Sequence, residues 1–252
     1  MPDYQENNAV RTAVLADIHA NMAALKAVLR DIREEHADDI ITLGDNIGYG
    51  PDPDEVVQKL IRIGVISILG NHEYALVNNG YYARMNPDPR KSLDMTRFML
   101  SDESLDYSTG LEQYKIYKGA RLVHGCPPRS CTAYLYHPEK KFLEKIFNSF
   151  PERLCFYGHT HTLNMFEQGK DPREGINIIP GTYRLEEDRK YIINPGSVGQ
   201  PRDGINNKSK YLLWDREKGT VTFKEVEYDV METVQKLRIL GFPDFNATRL
   251  LW

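Results

Sequence analysis

Short apolar runs that stop at Gly, Asp, Asn or His recur along this chain. Val10 to Ala16 is the first, with the β-branched residues of a buried strand, and it leads straight into Asp17-Ile18-His19-Ala20-Asn21. Past Asn21, a capping residue, Leu25, Val28, Leu29 and Ile32 recur at helical spacing. Ile40 to Leu43 is a second run and ends at Gly44-Asp45-Asn46. The stretch from Gly48 to Pro53 then leads to a helix over Asp54 to Ile63, with Asp52 or Asp54 near its cap. Val65 to Leu69 reads as a third strand, closing on Gly70-Asn71-His72-Glu73. The β-α-β-α-β order predicts a largely parallel sheet with right-handed crossovers. Ligands of such sheets gather at the carboxyl ends of the strands.

From Tyr74 to Gln113 the pattern changes. Leu93, Phe98, Met99 and Leu100 suggest one helix, Leu105 and Leu111 another, and Pro87 and Pro89 break the stretch before them. Residues 74–113 are read as a helical, cap-like insertion that either selects substrate or only covers the sheet. Ala120 to Val123 is a strand ending at His124, and the loop beyond it carries Pro127, Pro128, Tyr134 and Tyr136. Pro138 opens a helix to about Phe147, and the strand Leu154 to Tyr157 ends at Gly158-His159-Thr160-His161.

The last third predicts strands at Leu163 to Glu167, Ile176 to Ile179, Tyr191 to Ile193, Tyr211 to Trp214 and Thr220 to Glu227. Between them, the Gly-rich loop Asn194 to Arg202 is suited to close approach to a ligand. A closing helix, Val230 to Leu240, stops at Gly241 and Pro243. With no internal repeat or low-complexity linker, 1–252 reads as one domain in which 229–252 form a C-terminal helix and tail.

Composition narrows the function classes. Apolar residues make up 41% and charged residues 27%, as in soluble globular proteins, and 252 residues suffice for a sizeable core. A net charge of −4 gives no electrostatic reason to expect duplex nucleic acid or an anionic membrane as partner. No apolar run is long enough to span a bilayer, and Met1 to Asn8 is polar, without the core of a signal peptide. Cys126, Cys131 and Cys155 are odd in number, which favours free thiols over a Cys126–Cys131 disulfide and a cytoplasmic location.

The chemistry lies in the segments that end in Asp, His or Asn beside Gly. Imidazole suits first-row divalent metals, and carboxylate and amide oxygens suit the harder ones. Asp17, His19, Asp45, Asn71, His124, His159 and His161 are too many donors for one ion and the right number for two that share a bridging carboxylate. Two such ions clamp the attacking and leaving oxygens of an in-line displacement at phosphorus. Taken singly, each of these His would be read as a hydrogen-bonded structural residue. Their joint placement at strand ends points to a metal site. His36 and His137 fall outside the pattern and read as solvated or capping.

In that order, Asp17-x-His19, Gly44-Asp45, Gly70-Asn71-His72-Glu73, His124-Gly125 and Gly158-His159-x-His161 resemble the calcineurin-like metallophosphoesterases. The resemblance runs from about Val10 to Glu227, and Asn194 to Gly199 is similar to small prokaryotic, phosphodiesterase-like members. It implies an α/β fold, a four-layer αββα sandwich of two mixed β-sheets flanked by helices. It further implies one metal on Asp17, His19 and His161, a second on Asn71, His124 and His159, and Asp45 bridging both. A bridging hydroxide would attack phosphorus, with Asp45 and His72 as catalytic residues and His72 at the leaving-group side. Manganese is the first expectation for the two ions, with Fe, Ni, Co or Zn also suited to the donors. Glu73 is a possible partner of His72, although adjacent side chains on a strand end diverge.

One departure bears on substrate. Large protein phosphatases of the family and symmetrical diadenosine tetraphosphate hydrolases carry Gly-Asp-x-Val-x-Arg-Gly, whose Arg holds phosphate. Here Tyr49 stands in place of that Arg, in Gly44-Asp45-Asn46-Ile47-Gly48-Tyr49-Gly50, and offers no guanidinium fork. That favours a small phosphodiester unless an Arg from another loop substitutes. The alternatives are a phosphomonoester, a dinucleoside polyphosphate, or a non-catalytic metal-binding scaffold. Arg202 and Tyr49 are the candidate substrate contacts. Arg184, Tyr134 and Tyr136 could also touch substrate, and each reads equally as surface or packing. Asn46 reads as support for the turn, and Cys126 as outside the ligand set.

Overall fold

The computed structural model describes residues 10–176 and 178–251 and opens with the expected winding. The polar stretch Met1 to Asn8 and the end of the tail at Trp252 lie outside the described residues. β1 (Arg11–Leu15), β2 (Asp39–Thr42) and β3 (Ile66–Ser67) are parallel neighbours. α1 (Met22–Glu34) joins the first two, capped by Asn21, whose Oδ1 accepts from the Ala24 N–H at 3.0 Å. α2 (Pro53–Arg62) follows β2 with Pro53 in its first turn, and Asp54 accepts from the Ser101 N–H.

Residues 71–109 hold α3 (Asn71–Val77), α4 (Asn79–Tyr82), α5 (Pro87–Met99) and α6 (Asp102–Thr109). The break before Pro87 falls at residues 83–86, and Pro87 starts α5, where the N–H it lacks would have had no partner within the helix. β4 (Tyr114–Tyr117), unforeseen from sequence, forms a hairpin with β5 (Ala120–Val123). Its Lys118-Gly119 turn has φ of 48° and 78°, the tight turn whose twist matches the strands.

The rest of the chain supplies α7 (Lys140–Phe147), β6 (Leu154–Phe156), β7 (Leu163–Glu167), a 3-10 turn at Pro172–Gly175 and β8 (Gly181–Arg184). It ends with β9 (Tyr191–Pro195), β10 (Ser209–Asp215), β11 (Thr220–Val226), α8 (Val230–Ile239) and α9 (Asp244–Thr248). The strand expected over Ile176 to Ile179 is not formed by its described residues; Asn177 lies outside them. Ile176 makes only a single bridge to Asn164, and the Ile178 N–H goes to the Leu163 carbonyl. Pro180 cannot donate to a ladder, and the edge strand β8 forms after it.

The strands make a six-stranded sheet, β3-β2-β1-β10-β11-β8, and a five-stranded sheet, β4-β5-β6-β9-β7. Both mix parallel and antiparallel pairs. The sheets face each other across a core that includes Val14, Ile41, Leu212 and Trp214 from one and Leu122, Phe156, Leu163 and Ile193 from the other. Phe156 and Trp214 meet across it with ring centroids 5.3 Å apart. Burying side chains of this size contributes about 1.5–3 kcal/mol each, which makes the intersheet layer a main stabilising element. α1 and α2 cover the outer face of the first sheet through Leu25, Val28 and Leu60, and α7 covers the second through Leu143, Ile146 and Phe147. The result is two mixed sheets flanked by helices.

Helices α3 and α5 pack through Leu76 and Leu93 onto Ile47 and Val57, and α8 and α9 pack against Met95 and Met99 of α5. Cys126, Cys131 and Cys155 are buried free thiols. Among the described residues, no helix is long and apolar enough to cross a membrane.

Candidate metal centre

Every sequence-predicted ligand sits just past the carboxyl end of a strand. Asp17 and His19 follow β1, Asp45 follows β2, and Asn71 follows β3 as the first residue of α3. His124 follows β5, and His159 and His161 follow β6. β1, β2 and β3 run parallel in one sheet and β5 and β6 in the other, so their ends share one edge of the sandwich. The turns there are tight: Asp17, His19, Asp45, His159 and His161 all have positive φ, between 47° and 70°. Non-glycine residues resist that conformation by about 1–2 kcal/mol each, and such strain gathers at functional sites.

The seven side chains form two donor sets. In the first, His161 Nε2 lies 3.3 Å from Asp17 Oδ1 and 3.1 Å from His19 Nε2. In the second, His124 Nε2 lies 3.1 Å from Asn71 Oδ1, 3.2 Å from His159 Nδ1 and 3.3 Å from Asp45 Oδ2. Asp45 Oδ2 also faces His19 Nε2 at 3.7 Å, so one carboxylate oxygen belongs to both sets.

The far nitrogen of each ring is tied to a carbonyl. Nδ1 of His19 meets the Ile47 carbonyl at 3.1 Å, that of His124 the Leu43 carbonyl at 2.7 Å, and that of His161 the Gln200 carbonyl at 2.6 Å. His159 uses Nε2 instead, toward the Thr132 carbonyl at 3.3 Å. A carbonyl only accepts, so each of these nitrogens carries the proton. In His19 and His161, burial holds the ring neutral. Their Nε2 lone pairs therefore face each other at 3.1 Å, an arrangement that repels until a cation sits between them. The donor spacings of 3.1–3.3 Å match the edges of a coordination shell with ligands about 2.0–2.2 Å from the ion. The residues present fit divalent metal ions.

Glu73 organises the turn that carries the shared carboxylate. Its Oε1 accepts from the N–H groups of Asn46 at 2.7 Å and Ile47 at 3.3 Å; its Oε2 accepts from Asp45 and Gly70, both at 3.0 Å. Asp45 Oδ1 in turn accepts the His72 N–H at 2.9 Å. Asn46 supports the same turn, its Nδ2 donating to Ser67 Oγ at 2.9 Å. The loop Asn194 to Arg202 approaches backbone closely at Gly199. Gly199 packs so near Ile18 that a Cβ there would lie 1.8 Å from the Ile18 carbonyl oxygen. That approach places the Gln200 carbonyl under His161.

Electrostatics follow from burial of these charges together. Burial opposes ionisation of Asp17 and Asp45, but facing His charges outweigh it, holding Asp17 at about 2 and Asp45 well below the usual range. Burial likewise opposes a charge on His124, yet Asp45 and Asp17 raise it to about 9. Burial and the His124 charge bring His159 down to about 3.

Beside the donor sets stands His72. It has a ring nitrogen within 4.8 Å of donor atoms of His19 and Asp45, and its ring centroid is 4.6 Å from that of Tyr49. Its Nδ1 is buried without a hydrogen-bond partner among the described residues. The guanidinium carbon of Arg202 lies 5.8 Å from the centre of the Tyr49 ring, and Tyr134 stacks on His159 at 3.8 Å.

Residues 10–219 match the family model of the calcineurin-like phosphoesterase superfamily domain. The chain belongs to that superfamily. It is 33% identical over 244 residues to the uncharacterized protein MJ0912 of Methanocaldococcus jannaschii, covering 94% of this chain and 96% of that one. A metallophosphoesterase from Sphaerobacter thermophilus is 34% identical, with a TM-score of 0.83 over 97% of this chain and 99% of that one. The hypothetical protein PH1004 of Pyrococcus horikoshii shares the fold, with a TM-score of 0.76 at 22% identity over 95% of this chain and 97% of that one.

Within this phosphoesterase, the seven expected metal ligands, His72, Tyr49 and Arg202 all gather at one place. Arg184 does not: it is exposed on the edge strand β8. Tyr136 and His137 are exposed and pack edge-on against each other, and His36 is exposed beyond α1. Glu73 belongs to the first turn of α3, so it points back at the Asp45 turn instead of diverging as on a strand. The spacing from Gly70 to Glu73 is that of a helix start, which was the signal for it. Arg249, whose charge bears on Tyr49 and which the Arg202 charge disfavours in turn, lies in the C-terminal tail and carries no motif.

Proposed function

We propose that this chain is a dinuclear metal-dependent phosphoesterase acting on a small phosphodiester. One observation carries the proposal: two donor sets share Asp45 Oδ2, and an imidazole that belongs to the edge of neither ligand triad stands beside them. Asp17, His19 and His161 would hold one ion, Asn71, His124 and His159 the other, and Asp45 both. When bound, the two ions, Mn first and Fe, Ni, Co or Zn by the same donor chemistry, supply charge neutralisation at phosphorus and an acidified water for in-line attack.

The chain's own residues supply the rest. Burial lowers the His72 pKa, and bound cations would lower it further. His72 therefore works as a neutral hydrogen-bond donor toward charge on a phosphoryl or leaving oxygen. Tyr49 packs its ring against His19 and His72, which fixes their planes. The three unpaired thiols favour a reducing compartment such as the cytoplasm.

A phosphomonoester is the second reading, and Arg202 is the observation that favours it. Its guanidinium comes from another loop and lies over Tyr49, the residue that replaces the family's Arg in sequence. The test is hydrolysis of bis(4-nitrophenyl) phosphate and 4-nitrophenyl phosphate by protein stripped of metal and reloaded with Mn, beside His72→Ala and Asp45→Asn. Metal-dependent turnover that favours the diester and collapses in both variants is the expected result. A preference for the monoester would replace the first reading by the second. Bound metal with no turnover of either would overturn both.

A further inference from the structure

The C-terminal segment reaches the rim of the metal centre. Asn246 of α9 fastens it there, its Nδ2 donating to the Tyr49 carbonyl at 2.7 Å and to Ser92 Oγ at 2.9 Å. Leu250 lines a small cavity together with His19 and Tyr49. Between these two anchors lies Arg249, its guanidinium 4.2 Å from the centre of the Phe245 ring. Over the Tyr49 ring stands Arg202, with its Nη2 donating to Gln200 Oε1 at 2.5 Å and its Nε buried without a partner among the described residues. Among those residues neither guanidinium is paired with a carboxylate. Burial and the Arg202 charge both disfavour the charge on Arg249. Two cations held together in this way repel each other until an anion joins them.

The two are not equivalent. The Arg202 charge acts on His161 and His72, inside the centre, whereas the Arg249 charge acts on Tyr49 at its rim. We propose that Arg202 and Arg249 form a two-part anion clamp, Arg202 for the scissile phosphoryl and Arg249 for a second phosphoryl group of the same substrate. The natural substrate is then a phosphodiester that carries one further phosphate. The clamp rests on the phosphoesterase reading above.

The test uses the full-length, Mn-loaded protein and two chromogenic diesters: thymidine 5′-(4-nitrophenyl phosphate) and the same compound bearing a 3′-phosphate. Release of 4-nitrophenolate reports cleavage at the diester alone. The clamp requires kcat/KM to favour the 3′-phosphorylated compound by about tenfold or more, carried by KM, the worth of one charge-assisted contact. Arg249→Met keeps an apolar stem over Phe245 and should bring that ratio close to one; Arg249→Lys should restore part of it. A wild-type ratio near one, or a ratio unchanged in Arg249→Met, would overturn the clamp. If the wild type cleaves neither compound, the phosphoesterase reading fails by itself. Calorimetry with thymidine 3′,5′-bisphosphate and thymidine 5′-monophosphate then decides the clamp. Tighter binding of the bisphosphate by wild type but not by Arg249→Met supports it, and equal binding overturns it.

Discussion

The Glu73 carboxylate takes the Asp45 N–H at 3.0 Å, and the same carboxylate binds the amides of Asn46, Ile47 and Gly70. The turn that presents the shared metal ligand is thus held by a side chain from the first turn of α3. Glu73→Gln keeps the shape but sets an NH2 group against two of the four N–H donors. Each buried donor left unpaired costs about 1–3 kcal/mol, so the metal-free variant should lose about 2–6 kcal/mol in denaturant unfolding. Metal affinity should fall about 10–100-fold, as when supporting partners of a ligand are removed, and competition with a chelator measures it.

Proton release should accompany metal binding. In the metal-free protein, Asp45 and Asp17 overcome burial and raise His124 to about 9, so at pH 7 this ring is protonated and must give up its proton to become a ligand. Titration of metal into the stripped protein in two buffers of different ionisation enthalpy should show about one proton released per protein from this group. The release should fade above pH 9. The sign for stability follows: a His pKa raised in the folded state stabilises fully below its unfolded value near 6.5 and loses that contribution as pH rises through about 9. Metal-free protein should therefore melt lower at pH 9.5 than at pH 6.5.

Gly48 is required by His72. A Cβ at position 48 would sit 2.1 Å from His72 Nδ1, and φ there is +83°, a conformation other residues resist. Gly48→Ala should push the His72 ring aside and lower kcat about 100-fold, the scale of a lost hydrogen-bond donor at the reacting centre. Metal content, read by elemental analysis, should stay near that of the wild type. Loss of metal in parallel with activity would mean that Gly48 serves the ligands instead.

Much of this site was legible before any coordinates. Asp17, Asp45, His124 and His159 each follow an apolar run, the last three beside Gly, and parallel strands must bring their carboxyl ends to one edge. The stretches that escaped notice were those whose order comes from tertiary contacts. β8, Gly-Thr-Tyr-Arg, has no apolar alternation and becomes a strand only because β11 offers it a ladder. β4 hides because its turn is Lys-Gly rather than Asn-Gly. The four amides on Glu73 follow from Gly70 being the N-cap of α3, whereas a strand ending at Glu73 would turn that side chain away. Arg249 is two residues from the last described residue, Leu251, and reaches the rim through an Asn246 contact that no local pattern encodes.

Each donor set draws on both sheets: Asp17 and His19 from the six-stranded one meet His161 from the five-stranded one, and Asp45 and Asn71 meet His124 and His159. An ion in either set is therefore a rivet through the two halves of the sandwich. A slip of a few tenths of an ångström between the halves would spoil the polygon of donors while leaving each half intact. Residues such as Phe156 and Trp214, which are not themselves ligands, thereby act as spacers that set the gauge of the site, and thinning that layer should register as weaker metal retention.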